Sequence, residues 1–149
     1  MDPLEQLLAI EEIKQVRARY FRLVDEKKWE ELAEVFSDDA EADYSGEMVR
    51  GGQDPELGRV KGGGKAIAGF IRQAVEHMVT VHHGHMPEIT LTSPTTAEGI
   101  WAMEDLLQIP EGPVHSIHGF GHYRERYVKT EGGWRIQKLL LTRLRVDVA

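Results

Sequence analysis

Thr80-Val81-His82-His83-Gly84-His85-Met86-Pro87-Glu88-Ile89-Thr90-Leu91-Thr92 decides the fold, because here the apolar spacing of the chain changes. Before this run apolar residues recur three and four apart, as on one face of a helix. After it they recur every second residue, as on a strand with one buried face. Four long strands are predicted, at Thr80–Thr92, Thr96–Ile109, Val114–Lys129 and Gly133–Val146. Ser93-Pro94, Pro110-Glu111-Gly112-Pro113 and Glu131-Gly132-Gly133 supply the turns between them. Connections this short make neighbouring strands antiparallel.

Working back from Thr80, a helix is predicted over Lys65–Met78, with Ile67, Phe70, Ile71, Ala74, Val75 and Met78 on one face. The Gly-rich stretch Gly51–Gly64 reads as a loop. Ala40–Ser45 and Glu47–Arg50 read as two short strands about a turn at Gly46, and Trp29, Leu32, Ala33 and Phe36 mark a short helix. The opening is a long helix. Asp2 caps it, Pro3 fits its first position, and Glu5 stands where a capping-box partner belongs. Leu7, Ile10, Ile13, Val16, Tyr20 and Leu23 give it an apolar stripe. Three helices followed by an antiparallel meander form one α+β domain over residues 1–149.

The chain has no cysteine, which excludes disulfides and thiolate catalysis. Its formal net charge of −7 makes nucleic acid and anionic lipid poor partners. No apolar run is long enough to cross a bilayer, and Met1-Asp2-Pro3-Leu4-Glu5 lacks the features of a signal peptide, so a cytoplasmic location is expected. Lys61-Gly62-Gly63-Gly64-Lys65 lacks the spacing of a phosphate loop.

Asp105 stands out among the residues that could carry chemistry. It shares a strand face with Trp101, Met103 and Leu107, while Glu104 faces the other way. A carboxylate on an apolar face must find a partner or take up a proton. In the cluster His82, His83 and His85, alternation sets His82 opposite to the other two unless Gly84 marks a bulge. Imidazole there suits a base or a metal ligand. Asp25 reads equally as a cap for the following helix and Tyr20 as core, while Arg143 is a charge in phase with Leu139 and Leu141. His115, His118 and His122 read as surface or interface residues.

Taken together, Tyr20-Phe21-Arg22-Leu23-Val24-Asp25 with Trp29, His82 through Ile89, Glu104-Asp105, and Trp134 with Arg143 resemble the SnoaL-like family of the nuclear transport factor 2-like superfamily. Within it the chain is similar to the bile acid 7-alpha dehydratases. The resemblance implies a cone in which a curved antiparallel sheet and three helices enclose an apolar pocket. It implies His82 as general base, with Tyr20, Asp25, Asp105 and Arg143 around it. It also shifts the weight from His83 to His82. Phe36, Trp101, Met103 and Leu107 are expected to line the pocket, and Gly51–Gly64 is a candidate lid.

These residues suit a cofactor-independent lyase that eliminates water from a hydrophobic polycyclic, steroid-like hydroxy substrate. No metal is called for. A homo-oligomer is expected as partner, a trimer before a dimer, because relatives cover sheet surface that way. Three other readings stay open: a ketosteroid-type isomerase, a non-catalytic binding or dimerisation module, and a metalloprotein using His83, His85 and a histidine of the third long strand.

Overall fold

Residues 1–149 are described by a computed structural model. Helix α1 runs Pro3–Asp25. Its capping box is closed: Asp2 Oδ1 accepts from the Glu5 backbone N–H at 2.8 Å, and Glu5 Oε2 accepts from that of Asp2 at 2.9 Å. The buried face carries Ile13, Val16, Arg17, Tyr20, Phe21, Leu23 and Val24. The first turns lie outside the core, so Leu7, expected in the stripe, is exposed.

Helix α2 spans Trp29–Ala33 and strand β1 Phe36–Asp43. Phe36 therefore opens a strand instead of closing the helix. Helix α3 covers Ser45–Arg50, where a second short strand was expected. The predicted loop contains a single 3₁₀ turn, Pro55–Gly58, and strand β2, Arg59–Lys61, which pairs antiparallel with β1. Helix α4, Gly63–Val75, has an amphipathic face with Ile67 and Ile71 buried. The four α-helices are thus one more than expected.

The long strands are β3 Val79–Ser93, β4 Thr96–Gln108, β5 Ser116–Thr130 and β6 Gly133–Val148. The sheet order is β2-β1-β6-β5-β4-β3, antiparallel except where β1 lies parallel to β6. Register shifts bend the sheet at Phe36/Glu41 in β1, at Gly84/Pro87 and Leu91/Ser93 in β3, and at Phe120/Gly121 and Arg126/Tyr127 between β5 and β6. The bent sheet closes over α1, and one apolar core of 25 buried residues fills most of the space between. No helix is long and apolar enough to cross a membrane.

Candidate active site

The end of α1 meets the start of β3, and Asp25 is the joint. It does not cap α2, whose N-terminus has no side-chain cap. Its Oδ2 accepts the backbone N–H of His82 at 2.9 Å. Its Oδ1 accepts the Thr80 hydroxyl at 2.9 Å and lies 2.6 Å from His82 Nδ1. A carboxylate only accepts, so Nδ1–H is the donor of this contact, and in the neutral ring the lone pair is then on Nε2. The His82 ring stacks on Phe21 and is 9% exposed.

Strand phase alone turns His82 inward, since it lies directly opposite Asp105 on β4. The shift between Gly84 and Pro87 comes after it. A side chain at Gly84 would meet the Phe21 ring about 2.5 Å away, so glycine lets the ring reach the sheet beside His82.

Asp105 is 4% exposed and makes a two-pronged ion pair with Arg143, Nη1 to Oδ1 at 2.8 Å and Nη2 to Oδ2 at 2.9 Å. His82 Nε2 stands 3.9 Å from Asp105 Oδ2. Arg143 Nε also donates to Glu47 Oε1, and Nη1 touches the Met103 sulfur. Burial alone would pull the Arg143 guanidinium down, but Asp105 and Glu47 outweigh it and hold it above its ordinary value. The ion pair needs Gly119, where an added Cβ would fall on Arg143 Nη1 and Asp105 Oδ1.

These side chains face a cavity of about 230 Å³, bounded by Tyr20, Tyr44, Glu47, His82, Asp105, Tyr123 and Arg143 among an apolar majority that includes Met48, Phe70, Met78, Leu107 and Ile117. The Tyr20 and Tyr44 hydroxyls are hydrogen-bonded at 2.7 Å. Burial raises both phenols, so both stay protonated at neutral pH. Of the expected lining only Leu107 reaches the cavity. Phe36 packs edge-on to Tyr20, Trp101 donates to Tyr127 Oη at 2.9 Å, and Met103 is buried beside Arg143; all three belong to the core.

Behind Tyr20 and Tyr123 lies Arg17, fully buried with its Nε 3.1 Å from Glu125 Oε1. Its guanidinium carbon is 3.6 Å from the Tyr123 ring centre and 4.1 Å from that of Tyr20. Burial pushes the Glu125 carboxyl up, against the pull of Arg17. Glu47, Tyr44, Tyr123 and the pair Arg17–Glu125 were not singled out in the sequence. For Glu125 a signal exists, since its strand alternation matches that of buried Tyr123 and Tyr127. For Glu47 there is none while the segment reads as a strand.

His83 and His85 turn to the opposite face of the sheet. With His118 they gather about Glu104, at 3.7, 3.4 and 2.9 Å. The hydrogen bond from His118 is the main cause that holds the Glu104 carboxyl below its ordinary range. No three side chains there or elsewhere stand in metal-ligating geometry. A larger and more open hollow, about 620 Å³, lies over Glu88, Glu98, Arg124 and Arg126 and contains none of the candidate residues.

A family model described as SnoaL-like domain matches residues 5–139. Among solved structures, a hexachlorocyclohexane dehydrochlorinase (LinA) of type 2 superposes with a TM-score of 0.84 at 22% identity, covering 99% of this chain and 93% of that one. A scytalone-dehydratase-like protein from Novosphingobium aromaticivorans DSM 12444 gives 0.81 at 19% identity, covering 96% and 89%. A nuclear transport factor 2-like protein with a cystatin-like fold from the same species gives 0.72 at 25% identity, covering 95% and 85%. At such identities the likeness establishes the fold, a cone of the nuclear transport factor 2-like type.

Proposed function

The chain belongs to the SnoaL-like domain family, and from that premise we propose that it is a cofactor-independent lyase eliminating water from a hydrophobic hydroxylated ring substrate. One observation carries the reading: His82 lines a largely apolar cavity with Nδ1 held by Asp25 at 2.6 Å and Nε2 3.9 Å from Asp105 Oδ2.

In this mechanism His82 Nε2 takes a proton from the carbon next to the one that bears the hydroxyl. The C–H electron pair becomes the new π bond, and the C–O pair leaves with the hydroxyl. Asp25 fixes the tautomer and stabilises the imidazolium, a task Asp105 shares from 3.9 Å. The Tyr20–Tyr44 pair stays protonated, so it donates a hydrogen bond to the departing oxygen instead of giving up its proton. His82 then returns its proton to that oxygen, water departs, and the site is restored. An isomerase of the ketosteroid type would use a carboxylate as base. Asp105 is poorly suited, because Arg143 occupies both of its oxygens. The test is a screen of cyclic β-hydroxyketones for products absorbing in the ultraviolet. A new conjugated product with loss of water supports elimination. A conjugated product of unchanged mass means isomerisation, and no product from any member of the panel counts against an enzyme.

We further propose that copies of the chain associate, as a trimer before a dimer. Val81 and Leu106 are cross-strand neighbours and both exposed, and Leu144 on β6 is exposed as well. Light scattering at micromolar concentration that gives a monomer mass would rule this out.

A further inference from the structure

We propose that the cavity admits an uncharged, compact alicyclic molecule of one or two rings, rejects anions, and anchors the ligand's polar group on the Tyr123 hydroxyl. The inference rests on the reading of this cavity as the reaction site, and it narrows the substrate away from the steroid-like ring system that the resemblance implies.

Size comes first. A cavity near 150 Å³ holds benzene, and those that enclose drug-sized ligands begin near 300 Å³. At about 230 Å³ this one lies between them. It has room for roughly ten to fifteen heavy atoms, which is one or two rings with a substituent. Four fused rings would extend out through its mouth.

Charge comes second. The carboxylates of Glu47 and Asp105 and the guanidinium of Arg143 line the cavity, and Asp25 stands behind His82. Three carboxylates less one guanidinium leave two formal negative charges when His82 is neutral. Arg143 has no free edge for a ligand carboxylate, since Asp105 takes Nη1 and Nη2 and Glu47 takes Nε. An anion would therefore enter a net negative field whose one arginine is already engaged by two carboxylates. Glu47 is the specificity-determining residue in this respect.

Tyr123 supplies the third observation. Its side chain lines the cavity at 2% exposure. Its hydroxyl has no hydrogen-bond partner in the protein, unlike those of Tyr20, Tyr44 and Tyr127. Nor is it among the polar atoms sealed off without a partner, so it opens to the cavity. Burial holds the phenol well above its ordinary value, which makes it a neutral donor. A nearly enclosed donor of this kind is satisfied by a ligand hydroxyl or carbonyl oxygen.

The experiment is calorimetric titration of the full chain with tetralol, tetralin, tetralin carboxylate and a four-ring hydroxysteroid. Tetralol should bind at least about thirtyfold more tightly than the carboxylate or the steroid. Glu47→Gln should tighten the carboxylate about tenfold and leave tetralol within about threefold. Tyr123→Phe should weaken tetralol by about threefold to tenfold and leave tetralin unchanged. Carboxylate or steroid binding as tight as tetralol in the wild type overturns the proposal. So does a variant that shifts every probe alike or none. Tetralol that binds as expected while no cyclic hydroxy compound is turned over counts against the elimination and leaves the size and charge selection standing.

Discussion

Arg17→Met removes the guanidinium from a place where nothing else can replace it. Arg17 and Glu125 are both fully buried, and Glu125 keeps only the Tyr127 hydroxyl, 2.8 Å away, once its cation is gone. Breaking a buried pair by removing one partner costs about 3–5 kcal/mol. The lost contact with the rings of Tyr20, Phe21 and Tyr123 adds to this. Two effects offset it: methionine refills the space of the arginine stem, and no guanidinium nitrogen makes an aligned hydrogen bond in the first place. A net loss of about 3 kcal/mol is expected, equivalent to roughly 6–12 °C in melting temperature for a chain of this size. The pH dependence has a definite sign. Burial raises the Glu125 carboxyl and Arg17 opposes that, so the variant raises it further. A carboxyl raised in the folded state contributes stability below its unfolded pKa and loses it as pH rises through the folded value. The variant should therefore be relatively more stable near pH 5 than near pH 8, by urea denaturation at each pH. Adding Glu125→Gln, which keeps the partner of Tyr127, should restore at least about half the loss. A single variant within about 1 kcal/mol of wild type, or a double variant no better than the single, would refute the reasoning.

Gly119→Ala places a methyl group on the Asp105–Arg143 contact. It should cost about 1–3 kcal/mol in denaturant unfolding and lower turnover, with the sheet still folded by circular dichroism. Asp25→Asn keeps the shape but offers His82 an amide in place of a pure acceptor. Turnover should fall by at least about 10²-fold, while the weakened charge-assisted bonds cost about 1.5–3 kcal/mol, roughly 3–12 °C in melting temperature.

The four long strands were legible because Pro or Gly turns separate them and because alternation runs through most of each, although the Gly84/Pro87 shift interrupts it in β3. Asp105 was legible for the same reason: it is one charge in phase with the apolar residues of an inward face. His82 needed the family resemblance, because alternation separates it from His83 and His85 without saying which face is inner. The segment 36–64 was misread. Its elements are short, and Ser45–Arg50 takes its conformation from contacts with distant parts of the chain, among them Glu47 with Arg143. Local propensity is weak against tertiary context over so few residues. The lining was misread through depth. Trp101 and Met103 do share the inward face with Asp105, but the helices fill the space over them, and the cavity opens only toward the Leu107 end of β4.

The most direct test of His82 as the base is single-turnover kinetics of His82→Ala beside the wild type, on whichever cyclic β-hydroxyketone the screen shows to be converted. Melting temperature and circular dichroism should first show the variant folded. The formation of the conjugated product should then slow by about 10²–10⁴-fold, the share a positioned general base supplies. A folded His82→Ala protein that forms product within about threefold of the wild-type rate would contradict the account.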